Sequence, residues 1–200
     1  MKTYNFLLDD YLRPTKYIDA DHPMIVKKST ELKQEAADEM DYLRRAYLFV
    51  RDEIKHAWDV QDTRITVSAS DVLREGVGIC WTKSNLLAAL LRAQKIASGI
   101  SYQHLTLGDT PDSGYCIHAL NTVYLAGKDR WIRLDARGNK ATVHAEFDLE
   151  NEKLAFTIRE ECGEIDYHDN HPDADLRLMK LLQENDNVLN VHSNMLPGEF

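Results

Sequence analysis

The chain reads as α+β with segregated layers, helices first and antiparallel strands after. Three observations predict this. Leu32, Ala36, Met40, Leu43, Tyr47, Val50 and Ile54 recur every three or four residues, the spacing of one helical face. A second apolar helical pattern begins at Cys80 and carries Leu86, Leu87, Leu90 and Leu91. Further along, the pattern changes to β-rich runs divided by turn residues.

Taken in order, the stretch up to Pro23 reads as irregular, with Pro14 and Pro23 as breakers. One continuous helix is expected from Ser29 to about Ile54, capped by Ser29 or Thr30. A short helical turn over 68–75 has Ser68 as its N-cap, Asp71 three residues on and Gly76 as its stop. The cysteine-led helix spans about 80–94. Residues 99–107, 115–125 and 130–135 read as strands, the last two joined by the hairpin turn Ala126-Gly127-Lys128-Asp129. Residues 147–159 are expected to add a strand or two, and a helix is expected at about 175–184. With no repeat and no low-complexity linker, residues 1–200 are expected to form a single domain. Its core covers about 47–147, followed by a C-terminal extension over 148–200.

A formal net charge of −9 without any basic stripe argues against nucleic-acid binding, which needs clustered Lys and Arg. Met1–Asp10 lacks a basic region followed by a long apolar run, so no signal peptide is predicted, and the apolar runs are too short to span a bilayer. Cys80, Cys116 and Cys162 form an odd set without CxxC spacing, which suggests neither a disulfide scaffold nor a zinc ribbon. The expectation is a cytoplasmic protein with reduced thiols, no cofactor, no metal, and no membrane or nucleic-acid partner.

Gly76-Val77-Gly78-Ile79-Cys80-Trp81 puts a cysteine where a glycine-bearing loop becomes a helix. The partial positive charge of a helix N-terminus favours thiolate there. Cysteine catalysis also needs a base and a group that holds the base in the right tautomer. His118 on the second strand and Asp135 at the end of the third supply them. A turn centred between Gly127 and Lys128 sets Leu120 opposite Asp135, so His118 lies two residues along on the same face as a diagonal neighbour. A slip of one residue would separate them to opposite faces.

These segments resemble the transglutaminase core: Gly78-Ile79-Cys80-Trp81 at a helix start, His118-Ala119-Leu120-Asn121-Thr122-Val123-Tyr124-Leu125 on a strand, and Trp131-Ile132-Arg133-Leu134-Asp135 on the next. The resemblance covers roughly residues 47–147 and implies a papain-like cysteine proteinase fold, with N-terminal helices packed on an antiparallel sheet or partial barrel. It implies acyl transfer through a thioester, by transamidation or by the hydrolysis of a cysteine protease or amidase, on a protein, peptide or small amide. By position, Cys80 is the nucleophile, His118 the general base and acid, and Asp135 the orienter. Eukaryotic members carry an oxyanion-binding tryptophan shortly before the cysteine. Here residues 63–67 hold no aromatic and the nearest tryptophan is Trp58. Calcium sites, flanking β-sandwich domains and the CxxC pairs of peptide N-glycanases have no counterpart, so the chain looks more like compact bacterial transglutaminase-like proteins.

Other residues admit plainer readings. Trp81 lines an acyl site or simply packs; Asn121 orients a partner or sits at a strand edge. Arg133 and Arg137 favour ionised Asp135, bind an acidic substrate group or form solvated salt bridges. Cys116 shares a face with His118 but lacks a helix dipole, so it is expected to be unreactive; Cys162 is incidental. His56 and Trp58 could approach the site, with surface or core roles the plainer expectation. Asp166, His168, Asp169, His171 and Asp173 resemble a metal-ligand set by composition, without constrained spacing. The competing functions are a catalytically inactive peptide- or protein-binding module of the same fold and a metal-dependent hydrolase using that His-containing tail.

Overall fold

The structure, a computed structural model, describes residues 7–194. Residues 1–6, on which part of the N-terminal reading rests, lie outside them. Pro23 opens a helix where a breaker was expected. It is the first residue of α1 (Pro23–Gln34), where its missing N–H leaves no bond unmade, and the His22 ring accepts from the Met24 N–H. The single helix expected over 29–54 is two helices. The chain turns after Gln34 and restarts as α2 (Glu39–Leu48), because the Asp38 carboxylate caps the new helix by accepting the Asp41 N–H at 2.8 Å. A π-helical turn, Phe49–Glu53, follows. Both helices pack on one core, so the apolar period runs unbroken through the gap and hides it. Ser29 is no cap: it is buried inside α1 with its hydroxyl 3.1 Å from that of Tyr42.

β1 (Lys55–His56), α3 (Ala57–Val60), α4 (Ala69–Glu75) and β2 (Val77–Gly78) lead to the central helix, α5 (Cys80–Ala93). The Ser68–Asp71 capping box and the left-handed Gly76, at φ +68°, bound α4 as its sequence predicts. β1 and β2 pair in parallel, Lys55 with Val77 and His56 with Gly78, which fixes the approach of the chain to Cys80. α5 has no solvent face: every residue from Trp81 to Arg92 is buried. Several of its polar members donate to backbone carbonyls, although Asn85 Oδ1 finds no partner among the described residues. Lys83 Nζ donates to the Ile54 carbonyl, Ser84 Oγ to that of Ala119, and the Arg92 guanidinium to those of Ser98 and Arg13.

β3 (Ser98–Thr106), β4 (Tyr115–Leu125), β5 (Arg130–Leu134) and β6 (Ile165–Asp166) form a curled antiparallel half-barrel in the order β5-β4-β3-β6. The β4–β5 register is the expected one, Asn121 facing Leu134 and Leu125 facing Arg130. Residues 147–159 contain no strand. Side chains pin that segment in place of a ladder: Glu152 pairs with Arg133, and the Ala155 N–H is taken by Asp135. The fourth strand comes from β6, against the far edge of β3. α6 (Leu176–Gln183) falls within the helix expected at about 175–184, with Asp175 accepting from the Arg177 N–H as its cap, and α7 (Val188–Asn194) is additional. Among the described residues no helix is long and apolar enough to cross a membrane.

Candidate active site

The fold brings Cys80, His118 and Asp135 together. Cys80 is the first residue of α5, so its N–H has no intrahelical partner and its side chain sits at the positive end of the helix dipole. His118 is in the middle of β4 and Asp135 follows β5 by one residue. His118 Nε2 lies 2.8 Å from Asp135 Oδ2, both residues almost wholly buried. The His118 ring and the Cys80 thiol line the same cavity, near enough for the charge of one to bear on the other. Since Nε2 is engaged by the carboxylate, Nδ1 is the nitrogen available to sulfur.

Each group bends the titration of the next. Burial pushes the Cys80 thiol up, but the His118 charge and the Ala119 N–H bring it below its ordinary value. Burial opposes a charged imidazole too; Asp135 and Cys80 outweigh it and hold His118 above the usual histidine range. Asp135 is held low against its own burial by His118 and by two backbone donors, Ala155 N–H at 3.0 Å and Arg137 N–H at 3.1 Å. These directions favour a thiolate–imidazolium pair beside an ionised carboxylate.

Cys80 and His118 line a cavity of about 530 Å³ together with Leu105, Leu107, Arg137 and Lys140. Cys116 lines it as well, but burial and the Cys80 charge push its thiol up to about 12, in keeping with an unreactive group. Trp81 touches the cavity, yet it is 1 % exposed and its indole N–H is committed to the Ile117 carbonyl at 2.8 Å. His56 and Trp58 both line the cavity. Asn121 does not lie at an edge: β4 is flanked on both sides, and odd-numbered Asn121 projects to the face opposite His118. Its amide donates to the Ser84 carbonyl at 2.9 Å, tying the sheet to α5.

Neither the Arg133 nor the Arg137 guanidinium pairs with the Asp135 carboxylate, which of these two residues takes only the Arg137 backbone N–H. Arg133 pairs with Glu152 and Asp166, and Arg137 with Asp59. Both arginines are buried, at 8 % and 6 % exposure, so these are not the solvated bridges their sequence context suggests. The acidic, His-containing tail is divided among separate partners. Asp166 holds Arg133, Asp169 holds Ser101, the Tyr102 N–H and His171, and Asp173 holds Thr15. Among the described residues no group of three His, Cys, Asp or Glu is placed to hold a metal ion. Cys162 lies outside the cavity, its carbonyl accepting from the Tyr115 hydroxyl. Sequence reasoning missed Ala155 and Phe156, which border Asp135 and His118, and the Ala119 N–H beside the sulfur. Backbone donors carry no residue-type signature.

Fold and site are those of a cysteine-dependent enzyme. Residues 26–136, more than half the chain, match the transglutaminase-like superfamily, and the chain belongs to it. Its fold is shared with a candidate cysteine protease from Cytophaga hutchinsonii, at 21 % identity and a TM-score of 0.52 over 65 % of this chain and 42 % of that one. The periplasmic domain of TgpA from Pseudomonas aeruginosa aligns at 17 % identity and a TM-score of 0.47 over 64 % of this chain and 45 % of that one. The aligned part thus spans under half the length of either solved chain. No curated protein matches the sequence.

Proposed function

We propose that the protein performs cysteine-nucleophile acyl transfer on an amide of a protein, peptide or small molecule. The observation that carries this reading is the single imidazole held between the Cys80 thiol and the Asp135 carboxylate, with the sulfur at a helix N-terminus. In the proposed sequence the Cys80 thiolate attacks the amide carbonyl. The tetrahedral oxyanion forms within reach of the Cys80 N–H, an orphan donor of α5. His118, as imidazolium, gives its proton to the departing amine, leaving a thioester. The neutral imidazole then activates water or an incoming amine, and expulsion of the sulfur restores the thiolate–imidazolium pair. Asp135 holds the ring orientation throughout. Trp58, on the cavity wall, would contact the acyl group; Trp81, 1 % exposed, and Asn121 serve packing.

Alkylation by iodoacetamide tests the nucleophile directly. Wild-type protein is expected to react at one cysteine below pH 7, well under the ordinary thiol titration. Mass spectrometry should place the label on Cys80. Cys80→Ala should abolish it, His118→Ala should slow it at neutral pH, and Cys116→Ser should leave it unchanged. A Cys80 no more reactive than free cysteine would overturn the proposal and favour a binding module of this fold. Supplying a labelled amine with a reactive amide library then separates amine incorporation from hydrolysis.

A further inference from the structure

Residues 139–159 lie beyond the family match, which ends at residue 136, and apart from the Lys140–Val143 bridge they form neither helix nor strand. They are nonetheless fixed in place. Arg51 Nη1 donates to the Ala145 carbonyl at 2.9 Å, and Asn139 brackets Ala145 from both sides. Val143, Ala145 and Ala155 form their own small core, against which Phe156 packs. The Glu152 carboxylate takes two bonds from Arg133, at 2.8 and 2.6 Å.

This strap reaches the site with two successive residues. The Ala155 N–H donates to Asp135 Oδ2, the oxygen that also holds His118. The Phe156 ring stands edge-on to the His118 ring, centroids 5.0 Å apart at 83°. Phe156 also lines two cavities: that of Cys80, and a second, polar one of about 420 Å³ bounded by Arg133, Glu152 and Asp166. The ring thus borders both the imidazole and a polar space that the imidazole itself does not line.

We infer that Phe156 is a positioning residue: held over His118 by the strap, it keeps water off the His118–Asp135 hydrogen bond and so maintains the charged pair with Cys80. The inference rests on the roles proposed above for these three residues. Its physical basis is that a charge-assisted hydrogen bond strengthens in a dry, low-dielectric setting and weakens when water competes for the same donor. The other titratable and charged groups around the ring are His56, Asp109, Cys116, Arg137, Lys140, Arg159 and Glu164 on the Cys80 cavity, and Arg133, His144, Glu146, Glu152, Lys153, Asp166 and His168 on the polar one. A change at Phe156 leaves all of them in place.

The test is the pH profile of iodoacetamide alkylation in wild type and Phe156→Ala. Removing the ring should disfavour the thiolate–imidazolium pair about tenfold against the neutral thiol and imidazole, read as an acid limb of alkylation displaced upward by as much as about one pH unit with an unchanged alkaline plateau. A merely structural role would lower the melting temperature and leave the limb in place. Phe156→Leu, which restores bulk, should recover most of the displacement. A second measurement needs no variant: in wild-type protein the His118 Nε2 proton should give a downfield NMR resonance that exchanges slowly with water. Fast exchange of that proton, or coincident profiles for wild type and Phe156→Ala, overturns the inference. Neither result disturbs the proposed function, which stands or falls on whether the wild-type acid limb lies below the ordinary thiol range at all.

Discussion

Asp135→Asn changes one atom type at the centre of the site, and its consequences can be worked through. The carboxylate accepts three donors: His118 Nε2 and the Ala155 N–H at Oδ2, and the Arg137 N–H at Oδ1. An amide of the same shape has one acceptor oxygen. If that oxygen takes the Oδ2 place, the NH2 group meets the Arg137 N–H, donor against donor, in a buried position. One stranded N–H costs about 1–3 kcal/mol, and replacing a charge-assisted bond to His118 by a neutral one costs about 1–2 kcal/mol more. The variant should therefore lose about 2–5 kcal/mol of folding stability at pH 7. Asp135 is held below the ordinary carboxylate range when folded, so its contribution is present above about pH 4, its unfolded value, and is lost as pH falls through the lower folded one. The deficit of the variant should accordingly shrink in acid. Losing about 1–2 kcal/mol of support for the imidazolium lowers His118 by about one pH unit, and the ratio of thiolate–imidazolium to the neutral thiol–imidazole pair roughly tenfold. Urea unfolding from pH 3 to 7 reads the first effect and the iodoacetamide pH profile the second. An alkylation profile identical to that of wild type would refute the coupling of Asp135 to the sulfur through His118.

Two further outcomes follow from residues that support the site. Lys83 is fully buried, and burial, reinforced by the Arg137 charge, lowers it to about 7. Between there and its unfolded value near 10.4 the unfolded chain binds more protons, so this group makes stability rise with pH across that window. Lys83→Met should flatten that slope in urea titrations at pH 7, 8.5 and 10, and equal slopes in both proteins would refute it. Gly99 sits where a Cβ would meet the His171 carbonyl at 2.6 Å and Thr122 Oγ1 at 2.8 Å. Gly99→Ala should cost about 1–3 kcal/mol and lower the thermal midpoint by several degrees, and an unchanged midpoint would show that the tail yields there without penalty.

Much of the site was legible in the sequence for a specific reason: a two-residue side-chain period leaves few registers in which His118 and Asp135 can meet. The turn at 126–129 selected one, and the structure adopts it. The capping residue Ser68 was equally readable, because its side chain acts locally. Asp38 was not. Its capping role competes with an apolar period that continues past it, and only the tertiary packing decides that the chain turns. The strand expected over 147–159 failed because its β-rich residues are held by long-range partners, Arg133 and Asp135, whose pairing no local pattern encodes. Asn121 failed for a related reason: that β4 is an inner strand depends on β3 and β5 flanking it.

The total enclosure of α5 has a bearing on how this scaffold can adapt. A helix packed on all sides cannot tilt or slide toward a new ligand without disturbing the whole interior, so the sulfur is a fixed point. Under the proposed acyl transfer, accommodation of different acyl groups would come from the parts of the rim outside the interior, the turns around Leu107 and Asp109 and the segment bearing Lys140 and Thr142. Selectivity can thus drift among descendants of this chain by loop exchange while the reactive centre stays put.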